Sequence, residues 1–273
     1  MSGLSLPGTP GTADFSGRTI LVVLAHPDDE SLACGGTIAR VADAGARVVL
    51  LCASRGERGA VSNPALIADA DLATVRAREL RDAAKILGIS DVSVLDHPDG
   101  DLRWAGVPQL HVDIVLAIQR HRPDGVITFA EDGLYWHLDH IGVHERTFTA
   151  VKSFGPWAPP LYYVTIKQGL MQEIVDAARS NGAVLKGRPF NVEPDAFGDY
   201  AKPPDFAVDV HDWVPRKLAA LRCHRTQIGP DNAFYHLTDE QARRLLGAEL
   251  FRRSPLEAGW ASVLEQLGEA VAE

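Results

Sequence analysis

Cysteine is scarce. Cys34, Cys52 and Cys223 are the only three in 273 residues, and no two form a CxxC pair. An odd, sparse set excludes a disulfide framework and a structural zinc knuckle. All three read as small buried residues of a reducing compartment. Basic charge is also short: 27 Lys and Arg against 36 Asp and Glu leave a formal net charge of -9. A nucleic-acid binder needs a basic face to neutralise phosphates, and an anionic membrane surface asks for the same, so neither is expected as a partner. No apolar run reaches the roughly 18 residues that span a bilayer. The first strand is not followed by a GxGxxG turn, which argues against a dinucleotide site. No GxSxG elbow occurs, which argues against a serine hydrolase. Aromatics are only 7% of the chain, too few for a long sugar-stacking groove.

What is present reads as one globular unit. Residues 1–17, MSGLSLPGTPGTADFSG, are rich in Gly, Pro, Ser and Thr, and they lack the basic and apolar regions of a secretory signal. They are expected to be a flexible arm, residues 18–273 a single domain, and the protein cytoplasmic. Short apolar runs at Thr19–Ala25 and Arg47–Ala53 have the near-continuous hydrophobicity of strands buried on both faces. Further strands are expected at Asp91–Leu95, Gly125–Phe129 and Leu161–Ile166. Helices are expected between them at Gly36–Gly45, Ala70–Leu87, Val107–Arg120 and His140–Ser153. The alternation predicts a Rossmann-like, three-layer α/β/α fold with a mostly parallel sheet. From about residue 167 an irregular C-terminal elaboration follows. It includes a further strand at Phe206–Val210 and helices at Asp212–His224 and Asp239–Gly247. Ligands in such a fold bind beyond the carboxyl ends of the strands.

The chemistry-bearing residues cluster there. The first strand runs into Ala25-His26-Pro27-Asp28-Asp29-Glu30. Like charges packed this closely repel, and a cation is the simplest remedy. Imidazole nitrogen and carboxylate oxygen both suit zinc, so His26 and Asp29 can share an ion while Asp28 takes a proton from water beside it. The fourth strand leads to Tyr135-Trp136-His137-Leu138-Asp139-His140. His140 supplies a third donor, which leaves a position open, as catalytic zinc requires. His144, four residues on along the same helical face, competes for that role. His137 falls in the cap of the helix, where it can face a substrate. Asp139 can hydrogen-bond one of these two imidazoles and favour its protonated form. A cationic His137 would then stabilise an oxyanion.

The motifs AHPDDE at Ala25–Glu30 and HLDH at His137–His140 resemble the LmbE-like, or PIG-L, family of metal-dependent deacetylases. Leu138 stands where that family often has proline, and the likeness extends from about Thr19 to Thr165. The resemblance implies His26, Asp29 and His140 as metal ligands, Asp28 as the base, and His137 as the oxyanion-stabilising or acid group with Asp139 as its partner. It implies a carbonyl-polarising role for Tyr135 and substrate contacts for Arg76 and for Glu57 in Ser54-Arg55-Gly56-Glu57. His224-Arg225-Thr226-Gln227 resembles a segment packed near the pocket. The expected reaction is hydrolysis of the acetamide of a small N-acetylglucosamine-type sugar or conjugate by metal-activated water. The expected metal is Zn2+, with Fe2+ as the alternative. A related amidase cleaving a thiol conjugate of an amino sugar, or a non-catalytic ligand-binding module, are the other readings. A homo-oligomer is left open.

Overall fold

A computed structural model describes residues 13–104, 107–185, 192–258 and 263–271. The expected arm lies outside the described residues over 1–12; beyond it, Phe15 is buried and its amide donates to Ala44.

The first half folds as its hydrophobic pattern predicts. Strand β1 (Thr19–Leu24) is followed by helix α1 (Asp29–Asp43), strand β2 (Arg47–Cys52), helix α2 (Leu72–Leu87) and strand β3 (Asp91–Val94). Helix α3 (Val107–His121), strand β4 (Gly125–Phe129), the single-turn α4 (Gly133–Trp136), helix α5 (Leu138–Lys152) and strand β5 (Leu161–Thr165) come next. Helix α2 has a legible start and stop. Asp71 accepts the Thr74 amide at its N-terminus, and Gly88 takes the left-handed conformation after Leu87. The central strands are buried on both faces, as unbroken apolar runs require.

The C-terminal part is more regular than its composition predicts. Helix α6 (Leu170–Ser180), strand β6 (Phe206–Asp209), helix α7 (Val214–Leu221), helix α8 (Asp239–Leu246), strand β7 (Ala248–Arg253) and strand β8 (Gly268–Ala270) extend the same sheet. The order is β3-β2-β1-β4-β5-β7-β6-β8. The strands from β3 to β5 are parallel, whereas β7 pairs antiparallel with β5 and β6, and β8 antiparallel with β6. Helices α3 and α5 pack together on one face; α1, α2 and α7 cover the other. The three-layer expectation holds.

Two helices differ from expectation by more than two residues at one end. Helix α1 begins at Asp29, not at Gly36, and is broken at Cys34 (φ -144°, ψ 26°). The break exposes the amides of Gly36 and Thr37, which donate to the Glu249 carboxylate at 2.9 and 2.7 Å. Lys217 balances that buried charge at 2.6 Å. The helix expected over Asp212–His224 shortens to α7, because a 3-10 turn at His211–Trp213 precedes it.

From β1 the chain moves outward to β2 and β3, then returns to β4 on the other side of β1. The crevice between the carboxyl ends of β1 and β4 is therefore the switch point where such sheets bind ligands.

Candidate active site

Both histidine-acid turns open into that crevice. After β1, Asp29 folds back so that its Oδ2 accepts the His26 amide at 2.8 Å. His26 Nε2 meets Asp139 Oδ2 at 3.0 Å and Asp99 Oδ1 at 3.1 Å. Both neighbours are carboxylate oxygens, so Nε2 carries the proton and the lone pair of Nδ1 points the other way. There it faces His140 Nε2 at 3.3 Å and Asp29 Oδ2 at 3.4 Å. His140 is oriented by the same logic. Its Nδ1–H donates to the Gly133 carbonyl at 3.1 Å, its ring stacks on Phe129 at 4.0 Å, and Nε2 lies 3.3 Å from Asp29 Oδ1.

Two imidazole lone pairs and a carboxylate thus converge at 3.3–3.4 Å. Donors held about 2.0–2.1 Å from a tetrahedral zinc ion are separated by roughly 3.3–3.4 Å. The donor set fits a divalent cation of that size, and the surrounding charge asks for one. Burial works against a charge on His26, yet its bonds to Asp139, Asp29 and Asp99 outweigh it and hold its pKa well above the usual value, so the surrounding carboxylates favour a positive charge at Nδ1, whether a second proton or a cation that displaces it. His26, His137 and His140 also offer atoms within 4.8 Å of one another. His137 is the weaker third donor, because its Nδ1 accepts the Asp139 amide at 3.2 Å as the cap of α5.

Asp28 adopts φ 115°, a conformation L-residues rarely take. Its carboxylate receives Arg76 Nη2 at 3.1 Å. Burial, reinforced by Asp29 and opposed by Arg76, pushes its pKa up to about 6. Arg76, itself buried, also donates to the carbonyls of Pro27 and Gly56. It therefore braces the turn as well as lining the cavity.

Three sequence expectations are corrected. The Asp139 carboxylate serves His26, not His137 or His140, and is further held by the amides of Gly100 and Leu102 at 2.7 and 2.9 Å. Gly142 permits this approach: a Cβ there would lie 2.7 Å from the Arg103 backbone. His137 is expected as a cation, but burial, then the charges of His140 and His26, lower its pKa to about 3. With Nδ1 accepting an amide, neutral His137 presents Nε2–H to the crevice. Glu57 is exposed and caps the Asp99 amide at 2.9 Å instead of lining the cavity. The rival ligand His144 is drawn away by the Phe129 carbonyl, which accepts its Nδ1–H at 2.9 Å.

The crevice is a cavity of about 520 Å³ with His26, Asp28, Asp29, Tyr135 and His137 on its floor. Tyr135 packs edge-on against His137 and lies tilted against Phe197 at 4.5 Å. Exposed Arg58 and Arg179 and half-buried Gln227, Asp231 and Asn232 also line the cavity. Sequence reading missed Asp99, although it follows β3 at the same sheet edge, where any residue was a candidate.

Residues 21–151 match the family described as PIG-L, GlcNAc-PI de-N-acetylase. The 1D-myo-inositol 2-acetamido-2-deoxy-alpha-D-glucopyranoside deacetylase of Acidothermus cellulolyticus is 33% identical over 258 residues, covering 86% of this chain and 88% of that protein. The enzyme of the same name from Actinosynnema mirum is 34% identical over 264 residues, covering 84% and 89%. Among solved structures, the N,N'-diacetylchitobiose deacetylase of Pyrococcus horikoshii superposes with a TM-score of 0.60 at 23% identity, covering 87% and 84%. GalB, the 4-carboxy-2-hydroxymuconate hydratase of Pseudomonas putida, superposes at 0.61 with 21% identity, covering 90% and 100%. The fold therefore serves more than one reaction. The chain belongs to the PIG-L family, as its two motifs predict, and is an enzyme of the N-deacetylase class. Among the described residues no helix is long and apolar enough to cross a membrane.

Proposed function

We propose that this enzyme removes the acetyl group from a small N-acetylglucosaminide whose second unit is a polyol, such as a cyclitol or another sugar. One observation carries the reading: the lone pairs of His26 and His140 and the Asp29 carboxylate converge beside Asp28 and His137 on one cavity floor. The cavity has room for two ring-sized units, and its lining of Arg179, Asp231 and Asn232 offers donors and acceptors to hydroxyls. The names of the relatives support the same substrate class.

His26, Asp29 and His140 would hold a divalent ion, zinc in our reading. Bound there, it would polarise the amide carbonyl and make water nucleophilic at neutral pH. Asp28 accepts the proton of the attacking water and later delivers it to the departing amine nitrogen, so the free amine leaves with acetic acid, which ionises to acetate and a proton in neutral solution. Arg76 holds the Asp28 carboxylate in place. His137 Nε2–H donates to the oxygen that becomes negative, and a donor preset for developing charge is where an enzyme gains most. Tyr135, whose hydroxyl burial keeps protonated, would polarise the same oxygen.

Acetate release tests this. N-acetylglucosaminyl cyclitol, N,N'-diacetylchitobiose, free N-acetylglucosamine and a thiol conjugate of an amino sugar would be compared after chelation and after reloading with Zn2+ or Fe2+. Turnover that persists after complete metal removal overturns the proposal. Preference for the thiol conjugate would redirect it to the related amidase chemistry.

A further inference from the structure

Behind the cavity floor lies a buried pair that the reaction above does not use. His224 follows α7, and Glu30 is the second residue of α1. His224 Nε2–H donates to Glu30 Oε1 at 2.8 Å, with both side chains at most 1% exposed. The Ser31 hydroxyl donates to the same oxygen. The other oxygen, Oε2, accepts the backbone N–H of Asp28 at 3.0 Å.

That amide belongs to the residue with φ 115°. A non-glycine residue stays in so strained a conformation only when its surroundings over-determine it. Arg76 restrains the Asp28 carboxylate and the Pro27 carbonyl; Glu30 restrains the amide. His224 and Ser31 hold Oε1 of Glu30, which leaves Oε2 turned to that amide. The segment carrying His224 is itself clamped. Thr226 donates to Glu79 of α2 through its amide and its hydroxyl, at 2.9 and 2.6 Å.

Stability alone is a poor account of this pair. Burying a histidine and a carboxylate costs desolvation that apolar residues of similar volume avoid. His224 Nδ1, moreover, finds no hydrogen-bond partner among the described residues. What an apolar pair would lose is the acceptor for the Asp28 amide.

We propose that Glu30 and His224 are positioning residues for Asp28. They fix the angle at which its carboxylate faces the nucleophile, and neither touches substrate. The inference rests on the reading of Asp28 as the base.

The test compares Glu30→Ala, His224→Ala, their double variant, and the conservative Glu30→Gln and His224→Gln, all metal-loaded and assayed on an N-acetylglucosaminyl cyclitol. Each alanine variant should lose kcat by about 10- to 100-fold, with KM and metal stoichiometry unchanged. The glutamine variants, which keep an acceptor or a donor in place, should recover most of it. The double variant should lose far less than the product of the two single losses, because His224 acts mainly through Glu30. Folded alanine variants with wild-type kcat, or losses that multiply in the double variant, overturn the proposal. A crystal structure of Glu30→Ala separates it from the parent reading. Asp28 should leave φ 115°, and an unchanged φ overturns the proposal even if wild type acts on no sugar.

Discussion

The turn after β1 and the turn after β4 supply the donors of one site but hold them differently. After β1 the strained residue is Asp28, and charged groups restrain it: Glu30 on its amide, Arg76 on its carboxylate. After β4, Gly133, Leu134 and Trp136 all have positive φ, and packing restrains them. Phe129 stacks on His140, Tyr135 lies on Phe197, and the Leu134 carbonyl accepts the Gly198 amide at 2.9 Å. One turn is a polar lattice and the other a packed aromatic corner. In the proposed reaction the polar turn would deliver a base whose carboxylate must be aimed; the aromatic one would deliver imidazoles whose planes must be set.

The largest effect should come from the donors, which unite the two turns. Asp29→Ala and His140→Ala should each release the metal and lower kcat/KM by about a thousandfold or more, the several kcal/mol that an ion contributes to transition-state charge. Metal analysis of the purified variants checks this. Variants that keep full metal occupancy would break the assignment of donors from both turns.

Next come the groups proposed to act on substrate. Asp28→Asn should cost about 10²- to 10⁴-fold in kcat with metal retained, as loss of a general base does. His137→Ala should cost about 10²- to 10³-fold, as loss of one oxyanion donor does. If either also strips the metal, the division between holding the ion and working on substrate fails.

Asp139 sharpens the comparison, because it lies in the second turn yet serves the first. Asp139→Asn should weaken metal affinity about 10- to 100-fold, since its carboxylate orients His26. An unchanged metal affinity with an altered acid limb of the rate profile would return it to His137, where sequence reasoning first put it.

That misplacement shows where the sequence stops being legible. AHPDDE could be read because its donors are contiguous and follow an apolar strand. HLDH revealed His137 and His140 for the same reason. The destination of Asp139 could not be read, because its partner His26 lies 113 residues away and is reached only through the β1–β4 pairing. Asp99 was hidden among Asp96 and Asp101 in a polar loop whose composition favours none of them. The parallel strands were legible as unbroken apolar runs. Strand β7, AELFRR, was not, since it alternates between buried and exposed positions and carries charge. The onset of α1 was mistaken because Gly35 and Gly36 look like a start, whereas they sit at the break that Glu249 caps.

The smallest predicted effect tests whether the aromatic turn is strained at all. Trp136 has φ 63°, is half-exposed, and touches Tyr200 edge-on at 5.6 Å. Trp136→Ala and Trp136→Gly lose the same ring and the same contact, so their difference isolates the backbone. At an ordinary position glycine is the less stable of the two by about 0.5–1 kcal/mol, because it has more freedom to lose. In the left-handed region an L-residue carries a steric cost of roughly 1–2 kcal/mol that glycine escapes. The sign should therefore reverse. Trp136→Gly should melt above Trp136→Ala by a few degrees, about 2–4 °C for each kcal/mol in a chain of this size class. If alanine is instead the more stable, the turn after β4 stores no strain at Trp136, and packing there shapes the chain without opposing it.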